Sequence, residues 1–333
     1  MTRVLLLRVG VVLLASTVAY GRANNPPYTQ AGRMPSVIDS ESLVNFVFDP
    51  VGRRLYAQSL AGVYWLDVRE GEPQFRGPIL PKRTGSIEIA PDLGRLYFSK
   101  DGERFGYLNL RTHEPPKILA RQQWQGGRLV YEPTRKEIYT PTRFRGEAIA
   151  VYDAETGERT AEIKLPGYRV TALEAVPGKV FFSVENKSGL YVIDATTHTV
   201  APWPINGKLV TPALLEADPA GQYLFGQYDR HVVAIDVRSA TVVARLTTAG
   251  TASFAFDPQS RLLVVSASEI PEHPRVVLKT YSVSTSGFTQ VANLKNPAEN
   301  GGQVYSMHGG FLQRSHDSLL LWLAAPAQGL GPG

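Results

Sequence analysis

With 333 residues, 43% of them apolar, and a formal net charge of +5, the chain is long enough to bury a large core by packing alone, which sets it apart from disordered and small disulfide-framed classes. The absence of cysteine excludes disulfides, thiolate metal sites, cysteine nucleophiles and lipid attachment at an N-terminal Cys. Gly 30 and Pro 24 signal many turns, and Tyr 15 with Phe 13 favours strands over helices.

Residues 1–23, "MTRVLLLRVGVVLLASTVAYGRA", combine Arg3 and Arg8 with an apolar stretch from Val9 to Tyr20 and a small-residue exit, the pattern of a secretory signal peptide. Cleavage is expected after Ala23 or Ala19, and the apolar run is short for a membrane span, which takes about 20 residues. Removing Arg3, Arg8 and Arg22 lowers the formal charge from +5 to +2, so the basicity is largely that of the targeting segment and gives no argument for nucleic acid. The expected location is secreted or periplasmic, with no stable membrane span once the signal is removed.

Residues 24–333 then repeat. "FDPVGRRLYAQSLAGVYWLDV" (from 48), "IAPDLGRLYFSKDGERFGYLNL" (89), "YEPTRKEIYTPTRFRGEAIAVYDAET" (131), "AVPGKVFFSVENKSGLYVIDATTHTV" (175), "ADPAGQYLFGQYDRHVVAIDVRSATVV" (217) and "FDPQSRLLVVSASEIPEHPRVVLKTYSV" (256) share one plan: strand, Pro turn, strand, polar loop, strand, turn, strand. The marker prolines Pro50, Pro91, Pro133, Pro177, Pro219 and Pro258 are spaced 41, 42, 44, 42 and 39 residues apart. Four strands at that period predict propeller blades. Continuous apolar runs such as "VYWL" and "HVVAI" predict middle strands covered on both faces.

A last unit, "GQVYSMHGGFLQRSHDSLLLWLAAP", is expected to supply two strands, with residues 28–45 giving the others and "PSVID" (35–39) standing as a third strand. The expectation is an all-β, seven-bladed β-propeller in one domain, with four-stranded antiparallel blades and a ring closed by N- and C-terminal strands.

"YVIDATTHTV" (191–200) and "VAIDVRSATVV" (233–243) resemble the YVTN family of β-propeller repeats. The naming tetrapeptide is replaced by "LYAQ", "LYFS", "IYTP", "FFSV", "LFGQ" and "LVVS". The resemblance implies the propeller fold and an exported binding role, and it brings no shared catalytic set.

Asp67, Asp153, Asp194 and Asp236 each end a third strand before a turn, where a short carboxylate accepts backbone N–H bonds from residues just ahead; they are expected to fasten hairpins. The inner strands carry the candidate site. Arg83 and Arg169 lie eight residues before their marker prolines, and Glu88, Glu174 and Glu216 lie three before theirs. Trp124, Arg128, Tyr168 and Lys208 occupy the loops leading into inner strands, and His231 lies at a loop-to-strand junction. Convergent cations focus potential and Arg forks carboxylate or phosphate, so these ten residues are the candidate ligand contacts. The alternative is that Arg and Glu of adjacent blades pair and tie the ring.

Nucleophile-elbow, His-Glu-x-x-His, phosphate-loop and calcium-loop motifs are absent, His308 and His316 have no distinctive metal spacing, and no cofactor is implied. "NKS" (186–188) fits a glycosylation sequon. The sequence therefore points to an exported, non-enzymatic binding or scaffold module for a protein partner or small anionic ligand at one rim, with "TPTRFRGEA" (140–148) and "SASEIPEHPR" (266–275) as partner loops. Two alternatives stay open: a lactonase-like hydrolase whose metal is held by Glu88, Glu174 and Glu216, and a propeller subunit of an exported dehydrogenase complex.

Overall fold

The computed structural model describes residues 28–35, 43–59, 61–69, 75–81, 84–100, 104–112, 114–121, 128–142, 148–165, 169–185, 187–206, 212, 214–228, 230–248, 252–268, 276–294, 304–307, 310–314 and 318–324. The signal segment and the greater part of the two partner loops lie outside these residues.

Strand β1 (Tyr28–Pro35) stands apart from the repeats. Six blades follow in chain order. The first is β2 (Leu43–Asp49), β3 (Arg54–Ser59), β4 (Gly62–Asp67) and β5 (Arg76–Leu80), and the second is β6 (Thr84–Ala90), β7 (Arg95–Lys100), β8 (Arg104–Asn109) and β9 (Lys117–Arg121). The third comprises β10 (Val130–Glu132), β11 (Glu137–Thr142), β12 (Ala148–Asp153) and β13 (Arg159–Lys164), and the fourth β14 (Val170–Val176), β15 (Lys179–Val184), β16 (Lys187–Asp194) and β17 (Val200–Pro202). The fifth comprises β18 (Leu215–Ala217), β19 (Tyr223–Tyr228), β20 (His231–Asp236) and β21 (Thr241–Thr247), and the sixth β22 (Ser253–Asp257), β23 (Leu262–Ser268), β24 (Val276–Ser284) and β25 (Gly287–Leu294). Each is an antiparallel meander of four strands.

The expectation of a seven-bladed ring with a last blade split evenly between the chain ends is corrected. Six blades are contiguous units. The remaining four-stranded sheet is a composite of β26 (Val304–Met307), β27 (Gly310–Arg314), β28 (Ser318–Ala324) and β1. The C-terminal segment gives three strands and the N-terminal segment only one, an outer strand pairing Tyr28 with Ala324 and Pro35 with Ser318. The third-strand place of this sheet is filled by β28; of "PSVID" only Pro35, the last residue of β1, is described, and residues 36–39 lie outside the described residues. The inner strand β26 lies between β22 and β2, so the composite sheet joins the sixth blade to the first.

Every marker proline falls in the turn between the first and second strands of its blade. The preceding acid fastens several of these turns: Asp49 accepts from Val51 N at 3.0 Å, Asp218 from Ala220 N at 3.0 Å and Asp257 from Gln259 N at 3.0 Å. The core consists of seams between blades. On β12, Ile149 and Val151 pack towards the fourth blade while Ala150 and Tyr152 pack towards the second; on β20, Val232 and Ala234 face the sixth blade while Val233 and Ile235 face the fourth. Alternate side chains thus enter alternate seams, which is why these strands read as unbroken apolar runs.

Candidate functional site on the channel wall and loop rim

In each blade the first strand pairs on one side only, so its other edge faces the ring axis. The chain enters these inner strands from one end of the ring, the loop rim; the marker prolines and third-strand aspartates occupy the opposite end, the turn rim.

The turn rim is tied together. Asp194 Oδ1 accepts from Thr196 N and Thr197 N at 2.9 Å each, Asp153 Oδ1 from Glu155 N at 2.9 Å and Thr156 N at 2.6 Å, and Asp236 Oδ1 from Ser239 N at 2.7 Å. These bonds, the Thr197 N–H foremost, hold the Asp194 carboxyl below its usual range. Asp67 is held at about 2, first by the Arg69 side chain that bonds it. These aspartates are hairpin fasteners. Further latches cross between blades: Tyr131 Oη donates to Asp92 at 2.9 Å, Gly178 N to Glu132 at 2.7 Å, and Arg261 Nη1 to Asp218 at 2.8 Å.

The channel wall gathers the glutamates foreseen from their shared offset. Glu88 of β6, Glu174 of β14 and Glu216 of β18 lie opposite Tyr97, Phe181 and Phe225 of their second strands. Arg128, two residues ahead of β10, contacts Glu174 Oε1 through Nη2, with half of its side-chain surface still open. Burial works against the Arg128 cation, but Glu174, Glu216 and Glu88 together keep it firmly charged. Burial pushes Glu88 up to about 8, against Arg128 and the Ile89 N–H, which donates to it at 3.0 Å. Burial and then repulsion from Glu174 push Glu216 up to about 8, against Arg128 and the Phe256 N–H of the sixth blade. Glu174 is also raised by burial, with Arg128 opposing. Arg128 of the third blade is thus in ionic contact with Glu174 of the fourth, while Glu216 of the fifth and Glu88 of the second act on its charge without a direct contact among the described residues.

Arg169 does not join that cluster; it is exposed at the head of β14. His231 is half-buried, opening β20 opposite Tyr228 and Thr247, with exposed Arg230 beside it. Arg83, Trp124, Tyr168 and Lys208 lie outside the described residues, as do His308, His316 and Asn186 of the sequon. Among the described residues no three His, Asp or Glu side chains have the geometry of a metal site.

Sequence reading missed a set of buried polar residues near the loop-rim end of the second strands: Gln58, Ser99, Thr140, Ser183, Gln227 and Ser266. Gln58 Nε2 donates to Thr84 O of the next blade at 2.9 Å, and Ser99 Oγ accepts from Ser86 N at 2.7 Å. With Gln227 turned so that both its amide atoms are paired, it bonds Ala252 N and O at 3.0 Å each. Their recurrence six to eight residues after each marker proline was the available signal.

No protein-family profile matches the chain, and no curated protein does. The YVTN resemblance rests on the repeat text alone. Among solved structures, the chain is similar to one in the crystal structure of the mitotic checkpoint complex, at TM-score 0.65 and 13% identity over 98% of this chain and 99% of that one. It is also similar to the β-propeller domain of Myceliophteria thermophila Cps50 (Swd1), at TM-score 0.66 and 14% identity over 90% and 100%. The WD40 repeats of RRP9 match at TM-score 0.65 and 9% identity over 85% and 94%. At these identities the likeness shows the β-propeller fold, one shared with WD40 repeats.

Proposed function

We propose that the chain is an exported, non-enzymatic scaffold whose loop rim binds a protein partner carrying an acidic surface. The observation that carries this reading is the pair of exposed arginines, Arg169 and Arg230, at the loop rim. Asp153, Asp194 and Asp236 on the turn rim are engaged in their own turns and Asp218 in an inter-blade latch, while at the loop rim Arg169, beside the exposed Glu185, and Arg230 stand exposed with no side-chain bond among the described residues. Exposed cations on a rigid frame steer an acidic partner and fix its orientation. A small anion drawn into the channel is less well served, because Arg128 is already engaged by Glu174. Similarity to a chain of the mitotic checkpoint complex, a protein assembly by its name, supports a propeller used for protein contacts.

Photo-crosslinking residues placed at Arg169 and Arg230, and as controls at Thr197 and Ser239 on the turn rim, test the reading in the native host. Adducts to one protein from the loop-rim positions support it; equal labelling from both rims, or none, overturns it. N-terminal sequencing of the mature protein tests export separately, with Asn24 or Tyr20 expected as the first residue.

A further inference from the structure

Each four-stranded sheet ends in an outer strand whose free edge faces away from the ring axis, and a free edge is a template on which another strand can pair. Among the described strands, every outer strand but one carries a charge or a proline that discourages such pairing. Arg76 stands on β5, Lys117 on β9, Arg159 on β13, Arg245 on β21 and Arg33 on β1, and Pro202 closes the short β17. The exception is β25, the outer strand of the sixth blade: its 8 residues include neither, and no charged residue occurs from Thr280 on β24 to Leu294 at its end. Its Thr289, Gln290, Val291 and Asn293 side chains are exposed, Val291 by 39%, and its ladder runs to β24 alone.

We infer that β25 is a docking edge for a second copy of this chain, the two β25 strands pairing antiparallel about a two-fold axis. A neutral edge meets its own copy without opposing like charges, whereas two copies of β21 would bring their Arg245 side chains together near the middle of the pair. Pairing of like with like also consumes the edge on both copies, so assembly stops at two.

The bulge fixes the register. Val291 has no partner on β24 and bends the strand after Gln290, which puts the centre of the pairing on Thr289, in the regular run before it. Phe288 and Gln290 lie opposite Val283 and Tyr281 and share one face, with Thr289 on the other. Centred on Thr289, the two strands set Thr289 beside its own copy, where threonine hydroxyls hydrogen-bond across strands, and Phe288 beside Gln290. One short strand pair buries less than a standard interface, so the dimer is weak and the chain is monomeric near about 1 μM.

Light scattering after size-exclusion chromatography of the whole mature protein, together with thiol crosslinking, tests the pairing. Loaded at about 1 to 200 μM, the wild type should rise from one chain mass towards two, while Thr289→Lys, which sets two ammonium groups face to face, should stay at one. Because the chain has no cysteine, Thr289→Cys carries a single thiol. Directly opposed residues of antiparallel strands have Cα atoms about 4.5–5.5 Å apart, within disulfide reach. Mild oxidation should therefore link this variant roughly 10-fold faster than Val51→Cys, whose side chain is exposed on the turn rim. A wild type that holds one chain mass throughout overturns the inference and leaves the edge to a strand from another protein. Equal linking of the two cysteine variants, or a dimer that persists in folded Thr289→Lys, overturns it as well.

Discussion

Arg128, at the head of the third blade's inner strand, contacts Glu174 on the inner strand of the fourth, joining two sheets that share no strand ladder. Removing the cation leaves Glu174 with no ionic partner among the described residues, and it must take up a proton or water to stay in place. Because half of the Arg128 side chain is open, solvent screens part of that loss. Arg128→Met should destabilise the protein by about 1–3 kcal/mol in urea unfolding, and Arg128→Lys by less. Equal stability of Arg128→Met and the wild type would remove the cluster from any account of ring cohesion.

The acid limb of stability should come from different residues. Asp67 titrates at about 2 instead of 3.8, so its bond to Arg69 stabilises the fold fully above about 4 and is lost as pH falls towards 2. Asp67→Asn should therefore lower stability near neutral pH and flatten the acid limb. Unfolding midpoints measured across the acid range check this.

Asp153 receives two backbone N–H groups, from Glu155 and Thr156, in the turn between β12 and β13. Asp153→Ala leaves those donors to water and should cost about 1 kcal/mol, whereas Asp153→Asn, which retains an acceptor oxygen, should cost less. Faster amide exchange at Glu155 and Thr156 in the alanine variant alone would locate the loss in the turn.

Local chemistry explains what the sequence made legible. A proline after the first strand and an aspartate at the end of the third are turn signals that act within a few residues, so Pro50 to Pro258 and Asp67 to Asp236 marked turns within the blades correctly. Glu88, Glu174 and Glu216 could be grouped because an equal offset from the marker places them at equal depth on equivalent strands. The partner of Glu174 was harder to identify. Arg169 shares an offset with Arg83, yet among the described residues it is Arg128, only two residues ahead of a short β10, that reaches Glu174; loop length and strand length decide this, not spacing. The closing sheet was misread for a related reason, since pairing between chain ends depends on which strand of the C-terminal segment is left with a free edge. The likeness of "PSVID" to "YVID" holds no information about that edge.

Phe182 stands for the seams that hold the blades together. It is 1% exposed in the core between the third and fourth blades and stacks on Tyr191 with ring centroids 5.4 Å apart. Phe182→Ala opens a cavity in a seam closed on both sides and should cost about 3–5 kcal/mol, and Phe182→Leu roughly 1–2. Equilibrium unfolding checks both, and a small loss for the alanine variant would mean that the blades can slide together to refill the gap.

The composite sheet makes the last prediction. β1 is the outer strand on β28, with Met34 opposite Leu319, Gly32 opposite Leu321 and Gln30 opposite Trp322. A mature chain shortened to begin at Ser36 loses this strand and leaves the "SLLLWLA" backbone of β28 as an unpaired edge, a ready template for another chain. The shortened protein should unfold at lower temperature and self-associate as its concentration rises, which light scattering after size-exclusion chromatography would record. A synthetic peptide of residues 28–35 added in excess should bind that edge and restore a monomer. If the shortened chain stays monomeric with an unchanged unfolding midpoint, β1 does not contribute to closing the ring.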